Sequence, residues 1–240
     1  MDYSVIIPVY DEEDAIIEVY HSVRNVMAGL GGSYEILFVN DGSTDRSLQR
    51  LLDLNAEDVV IVSLEHVGQA HALQAGFDHA AGDIYITLDG DGQDDPAEIP
   101  RLLEKLSQGY DVVCGWRQER RDPLAKKISS RLAYLVRRLL THDNIHDVGC
   151  KLRVFRRKDV QGISLSGGLH RFFTLIMHRR GCRVTEVRVV HHPRRTGVSK
   201  YGFWNRLPEG GIDLFRVMFI GIDRLMAYPR QYKVRSVHRI

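Results

Sequence analysis

Short, continuously apolar runs recur along the first half of the chain, at residues 4–10, 34–40, 59–64, 84–88 and 111–115. Between the first four and their successors lie segments whose apolar residues fall at helical spacing. The first of these carries Ile16, Ile17, Val19, Tyr20, Val23 and Val26 and stops at Gly31-Gly32. The others predict helices ending near residue 55, over 68–80 and over 97–108. Strands this short and apolar throughout are buried on both faces, so their alternation with helices predicts an α/β fold, a mostly parallel sheet covered on both sides. Asp11-Glu12-Glu13-Asp14 is suited to a helix N-terminus, Ser43 or Thr44 to capping the second helix, and Pro96 to opening the fourth.

The rhythm changes after residue 115. Residues 116–123 read as a basic loop, 125–140 as a helix presenting Lys126, Lys127, Arg131, Arg137 and Arg138, and 146–150 as a turn into a strand over 151–155. Another helix holds His170-Arg171-Phe172-Phe173, and 182–191 is expected to be the last strand. Residues 205–226 are strongly apolar but interrupted by Arg206, Arg216, Asp223 and Arg224. That pattern predicts an amphipathic helix. It suits burial in one membrane leaflet, with Arg230, Lys233, Arg235 and Arg239 near anionic headgroups, and equally packing on the domain. The predicted organisation is one domain over 1–202, followed by an amphipathic helix and basic tail over 203–240.

Length and composition leave this picture standing. A chain of 240 residues with 44% hydrophobic residues can fill one large core. Cys114, Cys150 and Cys182 are widely spaced and odd in number, which argues for small buried residues rather than a disulfide framework or zinc knuckle. Met1-Asp2-Tyr3-Ser4 lacks a basic leader and no apolar stretch approaches the ~18 residues of a membrane span, so the expected location is cytoplasmic.

Charge adds something the pattern does not. The net formal charge of +2 conceals a balance of −17 over residues 1–114 and +19 over 115–240. The acidic half should repel phosphate unless a cation intervenes, because one carboxylate at about 4 Å costs on the order of 4 kcal/mol at an effective dielectric near 20. The basic half attracts phosphate directly, and nucleic acid is one anion it could take.

In open α/β sheets ligands bind beyond the carboxyl ends of the strands. Those ends carry Tyr10 with Glu12, then Asp41, then Asp89-Gly90-Asp91-Gly92-Gln93. If the last segment stays extended, Asp89 and Asp91 point the same way, and the glycines let the backbone approach a ligand. Paired carboxylates suit a hard divalent cation carrying phosphate; an acidic turn at a strand end is the plain alternative. The first β-α turn has no dinucleotide-binding glycines, and GxxxxGK[ST] is absent.

With these residues placed, the chain resembles the family-2 glycosyltransferases of GT-A fold, among them the dolichyl- and polyprenyl-phosphate hexose synthases. Five matches in order carry the likeness: Val5-Ile6-Ile7-Pro8-Val9-Tyr10-Asp11-Glu12-Glu13; Val39-Asn40-Asp41-Gly42-Ser43-Thr44-Asp45; Asp89-Gly90-Asp91-Gly92-Gln93-Asp94-Asp95-Pro96; Asp147-Val148-Gly149-Cys150-Lys151-Leu152-Arg153; and Arg194-Arg195-Thr196-Gly197-Val198-Ser199-Lys200. The resemblance implies that Pro8, Tyr10, Glu12 and Asp41 hold the base and ribose of a nucleotide sugar. It implies that Asp89, Asp91 and Gln93 hold magnesium or manganese against the diphosphate, with Gly90 also binding the nucleotide sugar and Arg194 and Lys200 closing over it. Arg117 and Arg131 match positions used for a lipid phosphate, and Asp147 is assigned an orienting role together with Arg153.

The implied reaction is inverting transfer of a hexose from a GDP- or UDP-sugar to polyprenyl or dolichyl phosphate, with no nucleic-acid partner. A glycan, protein or small molecule is the alternative acceptor, and a non-catalytic nucleotide-sugar or nucleic-acid binding module the alternative class. Many bacterial relatives continue into two transmembrane helices. This chain ends at Ile240, so the expectation is peripheral attachment to the cytosolic face of a membrane, a small membrane partner protein, or a soluble acceptor. Lys151 stands where the family often has a small residue, and the QxxRW signature of processive synthases is absent.

Overall fold

The computed structural model describes residues 1–117, 145–193, 217 and 231–239. The strands are β1 (Tyr3–Val9), β2 (Tyr34–Asn40), β3 (Val59–Leu64), β4 (Ile84–Thr87), β5 (Val112–Trp116), β6 (Arg153–Arg156), β7 (Val184–Arg188) and β8 (Val234–Arg239). The helices that matter here are α1 (Ile16–Leu30), α2 (Ser47–Leu52), α3 (Gln69–His79), α4 (Ile99–Ser107) and α5 (Phe173–Arg179). One sheet runs in the order β7-β5-β6-β4-β1-β2-β3-β8. The expected parallel core is present in β4, β1, β2 and β3, and β5 pairs parallel with β7. β6 lies antiparallel between β4 and β5, and β8 antiparallel on β3, so the sheet is mixed.

Side-chain alternation along the strands divides the core into two layers. Val5, Ile7 and Val9 of β1 join Ile36, Phe38 and the apolar faces of α1 and α4. Ile6, with Leu37, Val39 and Val62, packs on the other side under α3 and α5. This places helices on both faces of the sheet. Cys114 and Cys150 are buried and Cys182 is half-buried, all with free thiols.

Two loop assignments change. Asp11, Glu12 and Glu13 do not form the first turn of α1, which begins at Ile16; they fasten the β1–α1 loop to the β2–α2 loop. Asp11 takes a positive φ of 50° and its Oδ1 accepts from the Thr44 amide at 2.6 Å, while Glu13 Oε2 accepts from the Arg46 amide at 3.0 Å. Ser43 and Thr44 therefore do not cap α2. Ser43 Oγ accepts from the Asp11 amide at 3.0 Å, and Asp45 Oδ1 takes the Ser47 amide at 2.9 Å. The reason is reciprocity: two adjacent loops above the sheet satisfy each other's amides, which a one-loop reading does not anticipate.

The tail also differs from expectation. Residues 182–191 do not hold the last strand; β8 does, with Val237 opposite Val62 and Lys233 Nζ 3.0 Å from Glu65 Oε1. Of residues 205–226 only Val217 is described, and it is buried in the α3/α5 layer, its carbonyl accepting from Arg179. At that residue the region packs on the domain.

Candidate active site

The carboxyl ends of β1, β2 and β3 build a platform. Tyr10 stacks on His66, ring centroids 4.3 Å apart and planes at 26°. Beneath them Asp41 is 3% exposed, and its carboxylate accepts from the amides of Val67 at 2.8 Å and Gly68 at 3.0 Å while lying 3.1 Å from His66 Nδ1. Burial raises the Asp41 carboxyl above the ordinary value, and these contacts oppose it. The Asp41 oxygens thus hold the 66–68 turn, and the ring facing solvent is that of His66, 51% exposed. Gly42 permits the arrangement: its φ is +68° and a Cβ there would stand 2.8 Å from the His66 amide. Sequence reasoning passed over His66, although its position just past the end of β3 was signal enough. Glu12 donates its amide to Ser47 Oγ at 2.8 Å, and its carbonyl accepts from Ala15 and Ile16 at the start of α1. Pro8 pairs with Val39, and β4 has already ended at Thr87 opposite Ile6, so its missing N–H costs no ladder bond.

The chain leaves the sheet at Thr87 and turns at Gly90-Asp91, so strand alternation does not set the relative direction of Asp89 and Asp91. Gly92 takes φ +72°. Gly90 is buried, and a Cβ there would meet the Pro8 carbonyl at 3.3 Å and Ile16 at 3.4 Å, so the protein's own packing already favours glycine at this position. Asp89 Oδ1 accepts from Gln69 Nε2 at 2.8 Å, and Asp91 Oδ1 from the Gln93 amide at 3.1 Å. His191 and His192 brace this loop from β7. His192 N donates to the Gln93 carbonyl at 2.8 Å, His192 Nε2 lies 3.1 Å from Asp95 Oδ2, and His191 bridges to Asp94. Burial raises the Asp89 carboxyl, Lys151 opposing, while burial pushes the Lys151 ammonium down to about 8.

Two carboxylates and an amide oxygen are hard donors, the set that suits magnesium or manganese. Among the described residues no group of three or more His, Cys, Asp or Glu forms a complete cage. An ion at Asp89 and Asp91 fits if substrate phosphate and water complete its shell, which is how magnesium is usually held.

Across from this loop, past the end of β5, Arg117 grips Asp147 with Nε at 2.7 Å and Nη2 at 3.0 Å, and the Asp147 amide donates to Glu186 at 2.7 Å. Despite the cost of burial, the Asp147 carboxylate holds the Arg117 guanidinium above its ordinary value. Asp147 is therefore paired with Arg117, the residue past the end of β5, while Arg153, expected to act together with it, has other partners. Arg153 sits on β6, opposite Thr87 and Cys114, where its buried guanidinium donates to the carbonyls of Val148 at 3.1 Å and His170 at 3.4 Å. Arg131, Arg194 and Lys200 lie outside the described residues.

A parallel β-α core whose strand ends carry an aromatic platform and a D-x-D loop, with an antiparallel strand bringing cations opposite, defines a GT-A transferase fold. The chain belongs to glycosyl transferase family 2, whose family model matches residues 4–163. It is 39% identical over 204 residues to an undecaprenyl-phosphate 4-deoxy-4-formamido-L-arabinose transferase of Klebsiella pneumoniae (strain 342), covering 83% of this chain and 62% of that one. It is 40% identical over 202 residues to the protein of the same name from Pseudomonas aeruginosa (strain LESB58), covering 82% and 60%. The chain thus spans about three fifths of the length of these relatives. Among solved structures, glucosyl-3-phosphoglycerate synthase from Mycobacterium tuberculosis in complex with phosphoglyceric acid superposes with a TM-score of 0.71 at 20% identity, over 92% of this chain and 81% of that chain. Its complex with Mn2+, UDP and phosphoglyceric acid gives 0.69 at 19%, over 92% and 79%. These two likenesses are of fold.

Proposed function

We propose that this chain transfers a sugar from a nucleoside diphosphate sugar to the phosphate of a polyprenyl lipid, inverting the anomeric centre. The observation that carries this reading is that Asp89, which opens the D-x-D loop past the end of β4, lies among the charges of Lys151, Arg117 and Arg153. The loop suits a cation-bound diphosphate and the cations an anionic acceptor. The relatives are named for an undecaprenyl-phosphate acceptor and an arabinose derivative, which supports the lipid phosphate and widens the donor sugar from hexoses to modified pentoses.

In this reading Tyr10 and His66 stack on the nucleotide base, and the buried Asp41 fixes their platform. Asp89, Asp91 and Gln93 hold magnesium or manganese, which when bound offsets the charge of the departing diphosphate. Arg194 and Lys200 close over the same phosphates. An acceptor phosphate is already ionised near neutral pH, so it attacks the anomeric carbon without a general base. Asp147 then has no proton to take; it aims Arg117. No helix among the described residues is long and apolar enough to cross a membrane. In this reading the acceptor is met at the cytosolic face of a membrane, which the undecaprenyl-phosphate named for the relatives supports.

The test is direct. Purified chain supplied with UDP- or GDP-sugars, polyprenyl phosphate and magnesium or manganese should make lipid-linked sugar, and EDTA or Asp91→Asn should abolish it with the melting temperature retained. Full transfer by Asp91→Asn, or no lipid-linked product from any donor while nucleotide still binds, overturns the assignment.

A further inference from the structure

His170-Arg171 has no part in the chemistry above, yet the fold brings it to the same strand ends. The turn Leu169–Phe172 runs into α5, and Leu169, Phe172 and Phe173 anchor it in the α3/α5 core layer. Lys151, at the start of the β6 segment, is tied to the end of β4 by its carbonyl, which accepts from Thr87 Oγ1 at 2.7 Å. The charges felt by Lys151 are those of Asp89, Arg153, Arg171 and Arg117. Of these cations Arg117 is already paired with Asp147, and Asp94 accepts from the Asp89 amide at 3.3 Å, which leaves Lys151, Arg153 and Arg171 around Asp89 without a carboxylate of their own among the described residues.

The cluster contains buried polar atoms, the Arg153 Nε donor among them, that the described residues do not pair. Arg153 is 1% exposed and His170 6%. Arg153 Nε, His170 Nδ1 and the nearby Thr174 Oγ1 are buried without a hydrogen-bond partner among the described residues. Buried polar groups are paired as a rule, so several orphans on two adjoining segments call for a partner that the chain does not supply. In front of them Lys151 and Arg171 are half-buried, and neither forms an ion pair with a carboxylate among the described residues. Arg117, by contrast, has both Nε and Nη2 committed to Asp147.

We infer that Lys151 and Arg171, backed by Arg153 and His170, form a cradle that holds the acceptor's phosphate beside Asp89. A phosphate has three terminal oxygens to share between an ammonium, a guanidinium fork and a buried arginine, and Lys151 separates its charge from the Asp89 carboxylate. As an acceptor site the cradle rests on the transfer reaction proposed above; the phosphate could belong to a lipid or to a soluble monoester.

The experiment uses the full chain and the variants Lys151→Met, Arg171→Gln and the conservative Lys151→Arg and Arg171→Lys. Calorimetry measures binding of a short-chain prenyl phosphate, the matching prenyl alcohol, glycerol phosphate, and UDP or GDP with Mn2+. Losing a charge-assisted contact should weaken binding of the preferred phosphate about tenfold or more in Lys151→Met and Arg171→Gln. The conservative variants should keep most of the affinity, and nucleotide–Mn2+ binding should hold within about twofold, below the tenfold that 1.4 kcal/mol represents. Unchanged phosphate affinity in both neutral variants overturns the cradle; if one of them fails to fold, the other must still lose phosphate affinity while keeping nucleotide affinity. An equal loss for nucleotide also overturns it, as does wild-type protein that binds no phosphate. Phosphate held through Lys151 and Arg171 with no lipid-linked product from any donor leaves the cradle standing and removes the lipid-transfer reading. Lipid-linked product with an unchanged acceptor KM in the variants does the reverse. A preference for glycerol phosphate assigns the cradle to a soluble acceptor.

Discussion

Arg117 and Asp147 allow a prediction whose size can be worked from the structure. The guanidinium is 14% exposed and the carboxylate 7%, and two parallel N–H···O bonds of 2.7 and 3.0 Å join them. Asp147→Ala deletes both acceptors and also strips an acceptor from the Gly149 amide. Breaking a buried pair from one side costs about 3–5 kcal/mol, because the surviving charge is left without compensation. The residual exposure of Arg117 lets water reach one edge, which points to the lower end, about 3 kcal/mol. At roughly 2–4 °C per kcal/mol for a chain of this size, Tm should fall by about 6–12 °C. Arg117→Met should cost less, since Asp147 keeps two main-chain donors, the amides of Arg117 and Gly149. The double variant Arg117→Met/Asp147→Leu should recover much of the loss, with a coupling of about 1.5–3 kcal/mol in a urea-unfolding cycle. A cost below about 1 kcal/mol for Asp147→Ala, or strict additivity in the cycle, would show that the pair is solvated and that Asp147 does not position Arg117.

Two further outcomes follow from the platform and from the buried histidine. Gly42→Ala should destabilise the protein by about 1–3 kcal/mol, because a non-glycine residue is forced into the left-handed region against the His66 amide. It should also weaken nucleoside diphosphate binding by displacing His66 from Tyr10, and unchanged affinity by calorimetry would count against the platform. His170 is held neutral well below its ordinary 6.5, chiefly by burial and then by the charges of Lys151, Arg171 and Arg153. The unfolded chain takes up this proton near pH 6.5 and the folded chain does not, so stability should drop as the pH falls below that value, by up to about 1.4 kcal/mol per unit. Asp41 and Asp89, whose carboxyls burial raises, act in the opposite sense on acidification. The readout is accordingly the difference between wild type and His170→Gln in urea unfolding from pH 7.5 to 5.5; a constant difference would refute it.

Much of this was legible in residue order. β1, β2 and β3 fall within a residue of the predicted bounds, because continuous apolar runs between helical segments have few other solutions. The place of Asp89 and Asp91 just past the end of β4 also followed from the apolar run that precedes them. Contacts between segments far apart in sequence were not legible. The pairing of Asp147 with Arg117 rather than Arg153 depends on β6 running antiparallel between β4 and β5, which points the Arg153 side chain toward α5. Likewise, His191-His192 looks unremarkable until β7 brings it beside Gln93 and Asp95.

The sequence by itself determined the class of fold, the first strands and the division into an acidic and a basic half, because periodicity, charge and motif spacing are local properties of the chain. Tertiary structure alone decided which side chains are spent on the protein and which are left for a ligand. Asp41 and Arg117 turned inward to hold other groups, whereas His66 stayed half exposed and Lys151 and Arg171 half-buried without a carboxylate partner among the described residues. That allocation depends on register, strand direction and burial, which arise only when distant segments pack together.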